Sequence, residues 1–492
     1  MSALAHILTQ RGIPVSGSDI RQNSVTDQLE NLGATIFLSQ GAENLAHFTD
    51  TQTGNSDSAS FQSTKPQVVC STAIKPENPE YRAAIELNYP IFHRSDLLAA
   101  LIAESNHSIS VAGTHGKTTT SSLISHLLVD AKLDPTVVVG GVVKTLKGNA
   151  RAGKSDFLVA EADESDGSLV KFNSALGVIT NIELDHPDHY CSLEQVLDIF
   201  HTFVSHTQQM LVCLDCETIR DRLIPESASQ SFLTYSLDAS RGADYSVTDI
   251  HYGAEGTTAE VIERGISLGQ IFVPLLGTHN LSNSLAAIAI ARQCEVSFDA
   301  IIQGLASFEG AKRRFEVRGD ANGIRLIDDY AHHPSEIEVT LASARLKVEK
   351  QPDHETCQID HSNDSSWKRV IAVFQPHRYS RASTFLQEFS RAFHDADQVI
   401  VMDIYSAGEN NEFGINGQMV CDAIAQHHHA VSYLPSLEGV TQHLITQSQP
   451  GDLILFLGAG NLNAAIPNVL KGLQISGTSR PQSSRVPNLY ST

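Results

Sequence analysis

Positive charge is scarce in this chain: 34 lysines and arginines face 56 aspartates and glutamates over 492 residues, a formal net charge of −22. So broad an acidic excess excludes an extended surface for nucleic acid or for an anionic membrane. Anionic ligands must then be met by local cationic pockets, which gives each lysine and arginine in a motif more weight. No apolar run approaches the roughly 18 residues of a membrane span. The opening stretch, Met1 to Leu8, has no basic residues ahead of its apolar part and does not make a secretory signal. The seven cysteines are scattered, which fits reduced thiols in a cytoplasm better than a disulfide framework. Cys213 and Cys216 have C-x-x-C spacing but no second pair to close a zinc site.

What the chain does have is Val111-Ala-Gly-Thr-His-Gly-Lys-Thr-Thr-Thr120, placed between the apolar-leaning run Ser108–Ala112 and the helical pattern Ser121–Leu128. Strand, glycine turn and helix in that order aim backbone N–H groups and the positive end of a helix dipole at an anion. Lys117 adds a cation for the β- and γ-phosphates, and the Thr118 hydroxyl can ligate Mg²⁺. The loop is shorter than the usual G-x-x-x-x-G-K-[ST], and a turn capped by threonines is the plainer alternative. The strand before it and the helix after it favour the phosphate reading.

Around this loop the chain reads as α/β throughout, with length for roughly three domains. Residues 2–11 read as a helix and Ile13-Pro-Val-Ser16 as a short strand, ending at Gly17-Ser18-Asp19. An acid just past a second strand is the ribose-contacting position of a Rossmann unit, yet no strand and glycine loop precede the helix. Helix and strand alternate to about residue 105, interrupted by a polar stretch at 49–66 that reads as a surface loop. A second region starts with the phosphate loop and carries buried-strand candidates at 136–141, 157–160, 176–180 and 210–213. From about 232 to 275 short alternating stretches with glycine turns suggest an antiparallel patch. A third region opens at Lys312-Arg313-Arg314-Phe315, with strands at 324–327, 369–374, 398–402 and 452–456 separated by helices, another doubly wound sheet. Residues 350–367 read as a solvated loop, and the tail after about 474 as disordered.

Four constellations stand where α/β enzymes hold ligands, past the carboxyl ends of strands. Glu161 opens Glu161-Ala-Asp163-Glu164-Ser-Asp166 and is placed to bind Mg²⁺ opposite a phosphate loop, whereas Asp163 and Asp166 read equally well as solvated acids. Asn181, Glu183, Asp185, His186, Asp188 and His189 crowd the next strand end, where a neutral imidazole at 186 can hold a second metal. His279 and Asn280, with Asn283 a turn later, open a helix, and the first two either contact a purine edge or merely cap it. In the third region Asp328, Asp329, Tyr330, His332 and His333 follow one strand, and His377, Arg378 and Arg381 the next. Paired arginine forks suit phosphate or carboxylate. The His427–His429 tract has no such context and reads as solvent-exposed.

Taken in order, Ser16-Gly-Ser-Asp19, Gly113–Thr119, Glu161–Asp166, His279-Asn280 with Asn283, Lys312–Phe315, Asp328–Pro334 and Gln375–Arg381 resemble the Mur ligase family from residue 1 to about 470. Any one motif is weak; their joint order is specific. The runs at 161–166 and 376–381 look like its alanine-adding branch rather than the muropeptide-recycling one.

The resemblance implies three α/β domains. These are an incomplete Rossmann-like UDP-sugar domain (1–105), a central P-loop ATPase domain (106–312) and a Rossmann-like amino-acid domain (313–473), followed by a disordered tail (474–492). It implies ATP and Mg²⁺ as cofactors and a cytoplasmic monomer or homodimer. UDP-N-acetylmuramate and L-alanine would be the substrates, joined through an acyl phosphate on the lactyl carboxylate. Gly113, Thr114, His115, Gly116, Lys117, Thr118 and Thr119 would then hold the ATP phosphates, His279, Asn280 and Asn283 the adenine, and Asp329 the ribose. Arg314 would reach a phosphate on domain closure. Thr118, Glu161 and His186 would hold metal, and Ser18 and Asp19 the UDP-sugar. His333, Arg378 and Arg381 would serve the amino-acid and acyl-phosphate end, with Lys117 and His186 completing the catalytic set. Family members carry a strand and glycine-rich loop before the helix that here begins at residue 2. Three explanations compete: a mis-assigned start, a truncation that weakens UDP-sugar binding, or a repurposed nucleotide-binding protein. The first is favoured because every downstream motif is intact.

Overall fold

Apolar runs long enough to be buried on both faces become the interior strands of two sheets. The computed structural model describes residues 1–46, 48, 65–348 and 367–478; all but the last residues of the expected loops at 49–66 and 350–367 lie outside them. The chain divides into two compact units. The first holds Met1–His251, Thr258–Pro274 and His279–Ala311, so the first two expected domains fall together in it. The second holds Tyr252–Thr257, Leu275–Thr278 and the chain from Lys312 onward. Among the described residues no helix is long and apolar enough to cross a membrane.

The first unit is built on a ten-stranded sheet. Inside it, His107–Ala112 pairs in parallel with Phe157–Glu161 on one side and Leu176–Ile179 on the other. The phosphate loop thus leaves an interior strand, where the neighbouring strand ends supply the motifs at 161–166 and 181–189. Phe232–Ser236, expected in an antiparallel patch, instead pairs in parallel with both Gln209–Cys213 and Tyr245–Gly253. Within that stretch the last strands, Tyr245–Gly253, Gly256–Glu263 and Ile266–Val273, are joined by two-residue turns, which require antiparallel neighbours.

The N-terminal elements of this unit form two separate parallel pairs, Ser16–Ser18 with Thr35–Phe37 and Val68–Cys70 with Ile91–His93, rather than one sheet. The first strand sits later than the expected 13–16. Pro14 has no N–H to give a ladder, and Ile13 N–H still bonds Leu8 O at the end of the helix Ser2–Gln10.

The second unit carries a six-stranded sheet in the order Glu316–Ala321, Ile324–Asp329, Asp452–Leu457, Arg369–Phe374, Gln398–Val401, Val431–Tyr433, antiparallel only at the first pair. Alternation along its strands separates two cores. Val370, Ala372, Phe374, Leu453, Leu455 and Leu457 pack with the helices Pro334–Val348 and Gly417–Ala425, while Ile371, Val373, Ile454 and Phe456 pack with Leu437–Gln447 and the C-terminal helix. That last helix runs Ile466–Thr478, past the expected boundary at 474, because Val469 and Leu473 anchor it to the sheet and the turn after them propagates.

His428 also departs from expectation. It is buried, Nε2 lies 2.9 Å from Ala396 O, and Nδ1 accepts Ala430 N–H, so the ring is the neutral Nε2–H tautomer. His427 and His429 are exposed as expected.

Candidate active site

Two glycines make the phosphate loop possible. Gly113 has φ 130°, and a Cβ there would run into the Thr180 hydroxyl; Gly116 has φ 84° against the Asn283 side chain. The helix Lys117–Asp130 then starts, with Thr120 N–H on Gly116 O as its first turn, leaving the N–H groups of 117–119 without intrahelical acceptors. The N–H groups of Thr114 and His115 are not free for an anion. They donate to Asn181 O at 3.0 Å and Asn181 Oδ1 at 2.8 Å. Thr180 Oγ1 donates to His115 O at 2.6 Å, and Glu183 N–H to Thr114 Oγ1 at 2.9 Å. The neighbouring strand end therefore clamps the loop in shape.

Lys117 Nζ donates to Gly113 O, Thr114 O and Glu164 Oε1 at 2.7, 3.0 and 2.9 Å. Burial alone would lower its pKa, but Glu164, Asp163 and Glu161 outweigh that and hold it above the usual lysine range. Glu161 takes Gly140 N–H at 2.7 Å and the Thr118 hydroxyl at 3.0 and 3.1 Å. Burial raises its pKa against the opposing pull of Lys117, Gly140 and Thr118. A desolvated carboxylate beside a threonine hydroxyl is a hard oxygen pair that suits Mg²⁺. A second group, Asp163, Glu164 and His186, brings its ligand atoms within 4.8 Å of one another. His186 sits at φ 53°, a left-handed conformation, with Nε2 3.5 Å from Glu164 Oε1 and 3.7 Å from Asp185 Oδ2.

His279 and Asn280 lie in the first turn of Thr278–Gln293. Asn283 is buried behind the loop, where Oδ1 accepts from the Thr120 hydroxyl at 3.2 Å. Ser18 Oγ donates to Glu80 at 2.6 Å, and Asp19, just past the strand, accepts from Arg21 N–H.

In the second unit, Arg313 at φ 59° and Phe315 at φ 50° turn the chain sharply into the first strand. Arg313 and Arg318 both pair with the fully buried Asp328, and the Arg313 and Arg314 guanidiniums lie 4.8 and 5.3 Å from the Tyr330 ring centre. Asp329 is only 5% exposed and accepts Phe315 N–H at 2.7 Å and Ala331 N–H at 2.8 Å, so it shapes its own loop. His333 is buried edge-on against Phe385. Arg381 is 2% exposed, with Nη1 3.4 Å from His377 Nδ1, and His377 stacks on Tyr405.

Comparison with known proteins identifies this arrangement. A Mur ligase middle-domain model matches residues 111–291, a Mur ligase family catalytic-domain model 1–106, and a Mur ligase glutamate ligase domain model 313–354 and 358–460. The chain belongs to the Mur ligase family. It is 55% identical over 482 residues to a UDP-N-acetylmuramate–L-alanine ligase of Acaryochloris marina, covering 98% of this chain and 95% of that one. A protein of the same name from Nostoc punctiforme is 54% identical over 472 residues, 96% and 93% of the two chains. The UDP-N-acetylmuramate-alanine ligase of Thermotoga maritima shares the fold at TM-score 0.75 and 24% identity, covering 98% and 97%; a murein peptide ligase of Psychrobacter arcticus does so at 0.67 and 22%, covering 96% of each.

Two residues of this Mur ligase were missed as individuals by sequence reasoning: Glu164, which pairs with Lys117, and Asn181, which holds the loop. Both sat in noted motifs, but nothing in spacing ranks one acid or amide above its neighbours.

Asp329 offers a direct test of the second unit's electrostatics. Burial pushes its carboxyl up to about 6, against Arg314 and the two backbone N–H groups. A raised folded-state pKa means that its contribution to stability is complete below about pH 4 and is lost as pH rises through about 6. Relative to Asp329→Asn, the wild-type protein should lose about 2 kcal/mol of unfolding free energy between pH 4 and 7. The sole tryptophan, Trp367, lies under the Arg325 guanidinium at 4.8 Å and reports unfolding of this unit by fluorescence. A difference that stays flat with pH contradicts the assignment.

Proposed function

We propose that this Mur ligase joins L-alanine to the lactyl carboxylate of UDP-N-acetylmuramate at the expense of ATP, in the supply of peptidoglycan precursors in the cytoplasm. The names of relatives more than 50% identical over nearly the whole chain support that reaction. The observation that carries it is Lys117, held by the clamped loop among Glu161, Asp163 and Glu164.

A carboxylate is a poor electrophile. Its oxygen attacks the γ-phosphorus, ADP leaves, and the acyl phosphate presents phosphate as the leaving group. The amine of L-alanine then attacks the carbonyl carbon, expels phosphate with the former carboxylate oxygen, and loses a proton. Because anions must be brought together, most of the catalysis has to come from neutralising charge and aligning the reacting groups. Lys117 and the N–H groups at the start of its helix meet the γ-phosphate. Thr118 and Glu161 would hold one Mg²⁺, and His186 with Asp163 and Glu164 a second, supplying charge neutralisation at the transferring phosphoryl group and the acceptor carboxylate. His279, Asn280 and Asn283 are assigned to the adenine, Asp329 to the ribose, and Ser18 and Asp19 to the sugar nucleotide. Arg314 is assigned to a phosphate contact, and His333, Arg378 and Arg381 to the amino-acid end. The division into 1–105, 106–312 and 313–473 is proposed on the same basis.

The test is phosphate release with ATP, Mg²⁺, UDP-N-acetylmuramate and each of L-alanine, L-serine and glycine. Release that needs the sugar nucleotide and is fastest with L-alanine is expected. Release with a free tripeptide in place of L-alanine would favour the recycling reaction. ATP binding without sugar-nucleotide binding would favour a catalytically silent protein.

A further inference from the structure

Arg378 occupies a place that local chemistry disfavours three times over. Its φ of 70° lies in the left-handed region, costly for a residue with a side chain. It is the N-cap of the short helix Tyr379–Thr384 yet makes no side-chain cap, since a guanidinium has no acceptor to offer. It also sets a positive charge at the positive end of that helix.

One carboxylate answers the last two. Glu409, on the loop after the strand Gln398–Val401, takes Arg378 Nη1 at 3.2 Å, Ser380 N–H at 3.1 Å and the Ser380 hydroxyl at 2.7 Å. It therefore neutralises the misplaced cation and caps the helix from another loop. The backbone is tied in the same place: Arg378 N–H donates to Tyr405 O at 2.8 Å, and Tyr405 N–H to Pro376 O at 2.9 Å. The Glu409 side chain is 16% exposed, so its bonds are largely sheltered from water. Left-handed residues at Ala407 and Gly408, φ 50° and 87°, turn the loop so that the next side chain reaches back. Two strand ends are thus laced together at the residue pair Arg378 and Arg381.

We propose that Glu409 is a positioning residue for the amino-acid end of the reaction, presetting Arg378, and through the same short helix Arg381, for the carboxylate of L-alanine or the acyl phosphate. The inference rests on the ligase reading given above. A strained residue and the helix start beside it, tied by three hydrogen bonds to one carboxylate, are the pattern of a pre-organised contact, and its loss should act on one substrate rather than on all.

The experiment is steady-state kinetics of full-length Glu409→Ala and Glu409→Gln, varying each substrate in turn, with the thermal midpoint followed through Trp367. In Glu409→Ala, kcat/KM for L-alanine should fall on the order of 100-fold, the cost of displacing a reacting contact by about 1 Å. KM for ATP should not move. Glu409→Gln keeps an oxygen for Ser380 but no charge for Arg378, and should fall in between. Unchanged L-alanine parameters overturn the proposal, as does a uniform loss for all substrates that tracks a lowered midpoint in both variants. Wild-type turnover indifferent to L-alanine would overturn the ligase reading, and this inference with it.

Discussion

Lys117→Ala should lower kcat by at least ~1000-fold, the scale of removing a pre-organised charge from a developing phosphoryl transition state. The structure warns that this variant alone is ambiguous. Glu164 is 2% exposed and ion-paired to Lys117 at 2.7 Å, so deleting the ammonium strands a buried carboxylate at a cost of about 3–5 kcal/mol. Glu164→Gln removes the stranded charge. The double variant should therefore recover the stability of Glu164→Gln while its kcat stays ~1000-fold below that of Glu164→Gln. If Lys117 served only to satisfy Glu164, the double and the single variant would turn over alike.

Glu161→Gln should move activity and stability in opposite directions. Glutamine keeps the volume and one acceptor for Gly140 N–H and Thr118, but not the charge. The half-saturating Mg²⁺ concentration should rise by at least about 10-fold and kcat at saturating Mg²⁺ fall about 100-fold. Stability should hold or improve above neutral pH. Burial raises the pKa of Glu161, so ionising it in the folded protein is unfavourable, and its contribution is lost as pH rises through that pKa. A Mg²⁺ dependence identical to wild type would remove Glu161 from the metal site, and a lowered thermal midpoint at pH 8 would contradict the unfavourable ionisation inferred from its burial.

The trade between local pattern and long-range context explains how much of this was legible in advance. Strands buried on both faces, such as Arg369–Phe374 and Asp452–Leu457, announce themselves as continuous apolar runs, and glycines at 113 and 116 mark the phosphate turn. The strand near Pro14 slid because a missing N–H decides where a ladder can begin. Partners from distant sequence are a different matter. Asn181 clamps a loop 66 residues before it, and Glu409 caps a helix 29 residues before it. Asn283 Oδ1 meets the Thr120 hydroxyl and Asp329 takes the N–H groups of Phe315 and Ala331, partners that motif spacing does not reveal. His428 reads as surface from its polar neighbours and is buried because two backbone groups pair with its ring.

The central claim is that the γ-phosphate passes to a carboxylate oxygen rather than to water. Turnover of UDP-N-acetylmuramate labelled with ¹⁸O in its lactyl carboxylate, with ATP and L-alanine in unlabelled water, tests this directly. Inorganic phosphate carrying one ¹⁸O atom per turnover is predicted, with the other retained in the new amide. Unlabelled phosphate would contradict the account.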